Sequence, residues 1–228
     1  MLAVISYTDP RKQPLSAKSM TLRPTEKSVY DRSGEGPMLV VLSGPSGVGK
    51  DSVLRRLKEL SRNWHFTVTA TTRSQRVGET DGLDYLFLDR DTFHMQVRNG
   101  DFLEFAEVYG NWYGVPRTQV STALRDGMDV IIKADVQGAA TIKEIAPEAI
   151  FIFLVPPSPE ELERRLRDRK TETTPDLELR ISTAMEELYH IPFFDYVVVN
   201  DQLEDTTNRI DAIITAEKCR IPSRRVTL

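Results

Sequence analysis

The sequence has few of the features on which secreted, metal-bound and membrane proteins depend. Only one of its 228 residues is a cysteine, Cys219, so no disulfide can form within the chain. Its three histidines lie far apart, which does not match the spacing of a metal site. No run approaches the roughly 18 apolar residues that a membrane helix needs, and residues 1–6 are too short for the core of a signal peptide. We therefore expect a cytoplasmic protein without a membrane partner.

The sequence also has no excess of charge of one sign. Thirty Lys and Arg residues face 34 Asp and Glu residues, and the formal net charge is -4. This balance gives no general attraction to nucleic acid or to an anionic membrane, and we expect no nucleic acid partner. A composition of 40% hydrophobic and 28% charged residues suits one globular domain. The oligomeric state is left open.

The chain divides into three parts by composition. Residues 1–36 combine proline, serine and mixed charge without a sustained helical or strand period, so we expect a mobile N-terminal extension. Acidic residues interrupt this segment, which disfavours a targeting peptide. Residues 37–222 carry the patterns of a folded domain, and residues 223–228 form a short C-terminal tail.

Apolar runs of strand length alternate with stretches of helical period from Pro37 onward. This alternation predicts parallel strands joined by crossover helices, and thus an α/β fold with a parallel five-stranded sheet flanked by helices. Four of the five runs are nearly continuous, which is typical of strands covered on both faces. The runs are Met38–Ser43, Phe66–Ala70, Met128–Ala134, Ala149–Val155 and Tyr196–Asn200. The stretch from about 71 to 125 breaks the rhythm and is predicted to be an inserted subdomain with a binding function.

A glycine-rich segment follows the first predicted strand directly. It reads Gly44-Pro45-Ser46-Gly47-Val48-Gly49-Lys50 and precedes a helix with a leucine stripe. Glycines let the backbone curl so that its N–H groups point inward, and the helix N-terminus adds the positive end of its dipole. The lysine would reach the terminal phosphates of a nucleoside triphosphate. The segment therefore predicts a phosphate-binding loop.

The residue after this lysine departs from the phosphate-loop pattern. Asp51 stands where GxxxxGK[ST] has the hydroxyl that normally contacts Mg²⁺, and Ser52 follows it. Magnesium prefers oxygen ligands, so Asp51 either binds the ion, directly or through water, or is a first-turn residue favoured by the helix dipole while Ser52 assists. Both interpretations stay open.

Several separated segments together resemble the guanylate kinase family. The resemblance covers about Pro37 to Arg220. It implies a P-loop kinase fold with an inserted GMP-binding subdomain and a lid at about 165–180. It also implies transfer of the γ-phosphoryl group of ATP to GMP with Mg²⁺, giving ADP and GDP. The segments are TVTATTRSQR at 67–76, GETDGLDY at 78–85, FLE at 102–104, YGNWYG at 109–114 and DVQG at 135–138.

Four residues of these segments suit the phosphate of a nucleoside monophosphate. Arg73 and Arg76 supply forked donors for a phosphate monoester. The hydroxyls of Tyr85 and Tyr113 add neutral hydrogen bonds to it. Together they predict a second anion site.

The family's base-reading residues match other positions of this chain. Glu104 and Asp135 match the acids that read guanine, and Thr69 matches a hydroxyl near its O6. Guanine offers N1–H and N2–H₂ donors to carboxylates, whereas adenine presents an acceptor at N1. A mispaired base costs about 1–3 kcal/mol. Val115 stands where related enzymes often have Ser or Thr, so we expect one contact to be lost here.

A basic segment at 164–173 resembles the lid of the family. By position, Arg165, Arg169 and Arg180 match the arginines that meet the transferring phosphates. Cations suit this place because phosphoryl transfer spreads negative charge over the moving group. Asn200 matches a family position near the adenine of the donor.

A second departure lies on the strand that leads to Asp135. Lys133 occupies a position where many relatives carry an acidic residue that organises magnesium. We hypothesise an exchange of charge, in which Asp51 supplies the missing carboxylate and Lys133 pairs with it or with phosphate. The strand end and the loop commonly lie close together in this fold.

Two other functions remain open from the sequence. The first is a non-catalytic guanylate-kinase-like module that binds a phosphorylated protein partner, although such a module needs no Lys50. The second is a P-loop kinase with another small phosphate acceptor, which Glu104 and Asp135 disfavour. A GTPase is disfavoured because the guanine-reading NKxD tetrapeptide is missing.

Overall fold

A computed structural model describes residues 36–60, 62–168, 174–220 and 226. The predicted N-terminal extension up to residue 35 and Arg169 lie outside the described residues. The C-terminal tail also lies outside them, apart from Val226. In the part that is described, no helix is both long enough and apolar enough to cross a membrane.

The described residues form nine strands, seven α-helices and one 3₁₀-helix. They are β1 (Leu39–Ser43), α1 (Lys50–Lys58), β2 (Trp64–Phe66), β3 (Ala70–Thr71), β4 (Leu86–Phe87), α2 (Arg90–Asn99), β5 (Phe102–Val108), β6 (Asn111–Pro116), α3 (Arg117–Arg125), β7 (Asp129–Lys133), α4 (Val136–Ile145), β8 (Ile150–Val155), α5 (Pro159–Arg167), α6 (Thr174–Glu187), a 3₁₀-helix (Leu188–Phe193), β9 (Tyr196–Val199) and α7 (Leu203–Lys218).

A five-stranded sheet forms the centre of this arrangement, in the order β2-β7-β1-β8-β9. All of its neighbouring strands are parallel. Every residue of β1 is buried, because helices cover both faces of the sheet. The prediction of a parallel five-stranded sheet flanked by helices is confirmed.

Alternate side chains of β1 point to two different cores. Leu39 and Val41 pack in one cluster with buried residues of α3 and α4. Val40 and Leu42 pack in the other cluster with buried residues of α1 and α7. This period of two is the geometry of an extended strand, and each such side chain contributes about 1.5–3 kcal/mol on burial. The two cores fix the carboxyl end of β1, where the glycine-rich segment begins.

A second sheet of four strands, in the order β4-β3-β6-β5, carries the inserted segment. Phe93 of α2 and Phe102 of β5 stack with ring centroids 4.6 Å apart and form a small core with Ala70. The next helix, α3, packs Val120 into the cluster that contains Leu39 and Val41 of β1.

The predicted strand Phe66–Ala70 is divided between the two sheets. Its β2 part ends at Phe66, and the chain enters the second sheet at Ala70. At the crossing, the Gln119 side chain accepts from the Val68 N–H and donates to the Val68 carbonyl, so this backbone is satisfied without a strand partner. The prediction of one continuous strand was therefore wrong.

Two helices, α5 and α6, pack on each other beside the glycine-rich segment. Ser158 caps α5 by accepting from the Glu161 N–H at 3.2 Å, and Pro159 occupies its first turn. Leu162 and Leu166 of α5 share a cluster with Ala184 of α6. The helix α6 begins at Thr174, and Pro175 follows it in the sequence, which is a common start of a helix.

Candidate active site

One cleft opens where β1 and β7 end and where the second sheet faces them. Ligands of open α/β sheets bind at this edge of the strands. The predicted site residues that line the cleft are Pro45, Ser46, Gly47, Gly49, Lys50, Asp51, Thr69, Arg73, Arg76, Tyr85, Glu104, Tyr113, Asp135 and Arg180. Gly44, Val48, Ser52, Asn200 and Arg165 do not line it.

The glycine-rich segment forms a tight loop between β1 and α1. Gly49 caps α1 with a φ of 102°, in the left-handed region, and a Cβ there would come within 2.6 Å of the Asn200 amide nitrogen. A side chain is thus excluded both by the backbone conformation and by a close neighbour. The loop brings the start of α1 to the cleft.

Lys50 lies across this loop. Its Nζ donates to the Gly44 carbonyl and, at 3.2 Å, to the Pro45 carbonyl. Burial lowers the pKa of Lys50, and the nearby Glu187 and Asp51 carboxylates oppose that effect. The ammonium group is therefore held among acceptors and negative charges at the floor of the cleft.

Asn200 and Arg165 contact the loop from outside the cleft lining. The Val48 carbonyl accepts from Asn200 Nδ2 at 2.7 Å and from Arg165 Nη1 at 3.3 Å. Asn200 is only 6% exposed. The predicted contacts of these two residues with adenine and with the transferring phosphates stay predictions. The contacts in this structure fix the shape of the loop.

Two arginines and two tyrosines line the opposite wall of the cleft. Arg73 pairs with Glu79 at 2.7 Å, and its guanidinium lies 5.2 Å from the centre of the Tyr85 ring. Tyr85 meets Tyr113 edge to face, with ring centroids 6.2 Å apart. Arg76 lines the same wall, and its N–H donates to Glu79. These residues can receive a phosphate ester by forked donors and hydroxyls.

Glu104 occupies the deepest part of this wall. The pairing of β5 with β6 is irregular between Phe102 and Glu104, so three successive residues are buried there. Glu104 is 7% exposed, and burial, reinforced by the charge of Asp135, raises its pKa to about 8. A Cβ on Gly138 would lie 2.7 Å from Glu104 Oε2, so the glycine permits the carboxyl group to reach this place.

Two further predicted residues surround this carboxyl group. Asp135 caps α4 by accepting from the Gly138 N–H at 2.7 Å. The Thr69 hydroxyl is buried and has no hydrogen-bond partner among the described residues. An unsatisfied buried hydroxyl in a ligand cleft is the kind of group that a bound base satisfies.

Sequence reasoning missed Glu187, the last residue of α6. Its carboxylate accepts from the Ser46 N–H of the loop at 3.1 Å, and burial raises its pKa. An acid at the end of a predicted helix carries no local signal of this contact, because α6 is remote from the loop in sequence. Arg180 of the same helix lies over the Tyr109 ring at 4.9 Å.

Asp51 and Lys133 form an ion pair, with Lys133 Nζ 2.6 Å from Asp51 Oδ1. The same ammonium donates to the Tyr85 hydroxyl at 2.7 Å. Burial lowers the pKa of Lys133, but Asp51 and Tyr85 outweigh it and the pKa is raised. Of the two predicted partners of Lys133, Asp51 or phosphate, the structure shows Asp51, and the role of Asp51 towards magnesium stays a prediction.

The donor set of the cleft fits magnesium that arrives with a nucleotide. The Asp51 carboxylate lines the cleft and its side chain is 70% exposed. Within the described ranges, no group of three or more His, Cys, Asp and Glu residues has the arrangement of a metal site. Magnesium is commonly bound by one or two carboxylates together with phosphate oxygens and water, so one carboxylate suffices.

Comparison with known proteins gives a consistent result. The family model described as guanylate kinase matches residues 37–217. "Guanylate kinase 2, chloroplastic/mitochondrial" of Oryza sativa subsp. japonica is 47% identical over 195 residues, which cover 84% of this chain and 68% of that protein. A guanylate kinase of Clostridium perfringens is 45% identical over 184 residues, 81% of this chain and 85% of that one.

A solved structure agrees with these sequence matches. The crystal structure of guanylate kinase from Anaplasma phagocytophilum superimposes with a TM-score of 0.69 at 37% identity. The match covers 82% of this chain and 88% of the other. On the strength of the family model, the relatives and this structure, the chain belongs to the guanylate kinase family.

Proposed function

We propose that this cleft transfers the γ-phosphoryl group of ATP to GMP, giving ADP and GDP, which is the activity that family membership gives to the chain. One observation carries the assignment of sites. The phosphate loop, Arg73, Tyr85 and Glu104 line the same cleft, and Lys133 links Tyr85 to Asp51 beside the loop. Two nucleotides bound there meet at their phosphates.

The loop from Gly44 to Ser52 holds the polyphosphate of ATP in this proposal. Gly49, Lys50 and Asp51 line the cleft at the start of α1, so the positive end of the helix dipole and the charge of Lys50 lie there. Asn200 and Arg165 keep the loop in shape through the Val48 carbonyl. Phosphate oxygens would replace the carbonyls that now accept from Lys50.

The second wall holds GMP. Arg73 and Arg76 take its phosphate, with the hydroxyls of Tyr85 and Tyr113 as neutral donors. Glu104 and Asp135 accept from the N1–H and N2–H₂ groups of guanine, and the buried hydroxyl of Thr69 faces O6. An adenine in this pocket leaves carboxylates without donors, which disfavours AMP.

Charge at the point of transfer is stabilised by cations. Lys50 and Arg180 line the cleft, and Arg165 and Arg169 belong to the same proposed set. Mg²⁺ would be held by Asp51, with Ser52 as the neighbouring hydroxyl, and when bound it neutralises phosphate charge. Water must be excluded, because it competes with GMP as acceptor.

We divide the domain of residues 37–222 by these roles. Its core binds ATP, the insert of about 71–125 binds GMP, and the segment of about 165–180 acts as a lid. The single cysteine suits a reducing compartment, and we propose the cytoplasm as the place of the reaction.

An acceptor panel tests the proposal. ATP and Mg²⁺ are supplied with GMP, dGMP, AMP or UMP, and ADP formation is followed in a coupled assay. We expect GMP to be the best acceptor and AMP to be poor. A module that only binds a phosphorylated protein forms no ADP, and a kinase for another acceptor prefers a different member of the panel. Either outcome would refute the proposal.

A further inference from the structure

Lys133 lies where the two proposed phosphate sites meet. Its Nζ donates to Asp51 Oδ1 at 2.6 Å and to the Tyr85 hydroxyl at 2.7 Å, and it lies 4.1 Å from the centre of the Tyr85 ring. Asp51 belongs to the first turn of α1, directly after the phosphate loop. Tyr85 immediately precedes β4 in the second sheet and lines the cleft, where the proposed function places the acceptor phosphate. One ammonium group therefore contacts both sites.

Lys133 extends from the central sheet. It is the last residue of β7 and pairs with Leu42 of the central strand β1. Its side chain is 15% exposed, whereas that of Asp51 is 70% exposed. The ammonium group therefore joins two side chains of the cleft to a strand of the core.

The chemistry of the contact sets the direction of the Tyr85 hydroxyl. An ammonium group only donates, so the Tyr85 oxygen accepts and its own proton points elsewhere. The phosphate of GMP is the acceptor that the proposed function places next to it. The ammonium has three N–H groups, and the Asp51 and Tyr85 contacts use two of them.

We propose that Lys133 is a positioning residue that couples the two nucleotide sites of this chain through Asp51 and Tyr85. The inference rests on the proposed function, because it assigns GMP and ATP to the two ends of the contact. A nucleotide that orders either partner also orders the ammonium and prepares the other partner. Occupation of one site therefore strengthens binding at the other, and the effect is reciprocal.

Calorimetric titration measures this coupling without turnover. GMP is titrated into the full-length protein alone and in the presence of saturating ADP and Mg²⁺. For the wild type we expect the Kd of GMP to fall at least about fivefold when ADP is present. For Lys133→Met we expect the ratio of the two Kd values to fall below about twofold. A side chain that only stabilises the fold changes both Kd values but leaves their ratio unchanged.

Three further variants sharpen the result. Tyr85→Phe removes one end of the contact. It should lower the ratio of the two Kd values as Lys133→Met does, while its affinity for ADP alone is kept. Lys133→Arg keeps a donor of the same charge and should restore part of the ratio. Lys143→Met is the matched control, because this lysine lies 5.0 Å from the Phe151 ring, outside the cleft lining, and should keep the wild-type ratio.

The fold of Lys133→Met is checked by its thermal unfolding. We expect it to fold, since the exposed Asp51 carboxylate can be hydrated when its partner is removed. A ratio near one in the wild type, or an unchanged ratio in Lys133→Met, overturns the coupling. If the wild type binds no GMP at all, the proposed function fails as well, so the two failures are distinguishable.

Discussion

The two anion sites of the cleft are built by different means. The phosphate loop is one short run of chain, in which Gly49 must lack a side chain and Lys50 supplies the cation at the start of α1. The acceptor wall consists of side chains that come from separate parts of the second sheet, such as Arg73, Glu104 and Tyr113. The phosphate loop can therefore be recognised from a local sequence motif, whereas the acceptor wall depends on which strands pair with each other.

The two sites also differ in their electrostatics. In the loop, the positive charge of Lys50 is balanced by Glu187 and Asp51. In the acceptor wall, Arg73 is paired with Glu79, whereas burial and the charge of Asp135 raise the pKa of Glu104 to about 8. The ATP site thus presents the charge of Lys50, and the GMP site presents, beside its arginines, a carboxyl group whose charge depends on pH.

The largest effect is expected from Lys50→Met, which removes the single cationic side chain of the loop. Loss of one donor that stabilises the transition state typically lowers kcat by about 10²–10³-fold. The affinity for GMP should stay unchanged, because the acceptor wall is intact. Lys58→Met on the same helix, whose ammonium lies 5.6 Å from the Phe66 ring, is the control and should keep wild-type turnover. Equal losses in both variants would contradict the role of Lys50.

The next effect is expected from Glu104→Gln, which should raise the KM for GMP by about ten- to a hundredfold and leave that for ATP unchanged. Glu107→Gln, at an exposed position of the same strand, is the control. Steady-state kinetics with each substrate varied in turn separates the two constants. A KM for GMP that does not rise in Glu104→Gln would show that this carboxyl group does not read the base.

The pH dependence tests the same carboxyl group. Its pKa of about 8 lies above the usual 4.5, so the folded protein keeps this proton when the unfolded chain has lost it. The free energy of unfolding should therefore fall as pH rises from 4.5 to about 8, and Glu104→Gln should remove this loss. GMP affinity should change in the opposite direction, rising by up to about tenfold per pH unit towards 8, because guanine donates to the carboxylate.

The sequence predicted the parts of the fold that depend on local pattern. The central strands and the glycine-rich loop are contiguous, so periodicity and the motif locate them. The change of sheet between Phe66 and Ala70 was not predicted, because a β-branched run looks the same whichever sheet it joins. The contact of Glu187 with the loop was also not predicted, since it is set by the packing of α6 on α5.

The site residues show the same division. The association of Asp51 with Lys133 was predicted from their opposite charges, but the contact of Lys133 with Tyr85 joins two sheets and has no sequence signal. The irregular pairing at Glu104, which turns that side chain into the cleft, is likewise a property of the β5-β6 ladder.

A smaller effect is expected from Gly138→Ala, which tests the close approach behind Glu104. The added methyl group would lie 2.7 Å from Glu104 Oε2 and must displace it. Overpacking of this kind costs about 1–3 kcal/mol, so we expect the Kd of GMP to rise about tenfold with little change for ADP. Gln137→Ala, at an exposed neighbouring position, should leave both affinities unchanged. Equal weakening of both nucleotides by Gly138→Ala would point to a general loss of structure.

The smallest effect is expected from Asn200→Ala, which removes one of the two side chains that donate to the Val48 carbonyl. A net hydrogen bond contributes about 1 kcal/mol, so the KM for ATP should rise about fivefold while that for GMP is kept. Asn63→Ala, at an exposed amide, serves as the control. If GMP were affected as strongly as ATP, the loop would not be the target of Asn200.

A crystal structure with ADP, Mg²⁺ and GMP bound together tests most directly whether one cleft holds both nucleotides. The account predicts the diphosphate of ADP on the N–H groups after Gly44, and guanine within hydrogen-bond distance of Glu104. It also predicts the GMP phosphate beside Arg73 and Tyr85. A guanine base bound away from Glu104, or ADP and GMP competing for the phosphate loop, would contradict it.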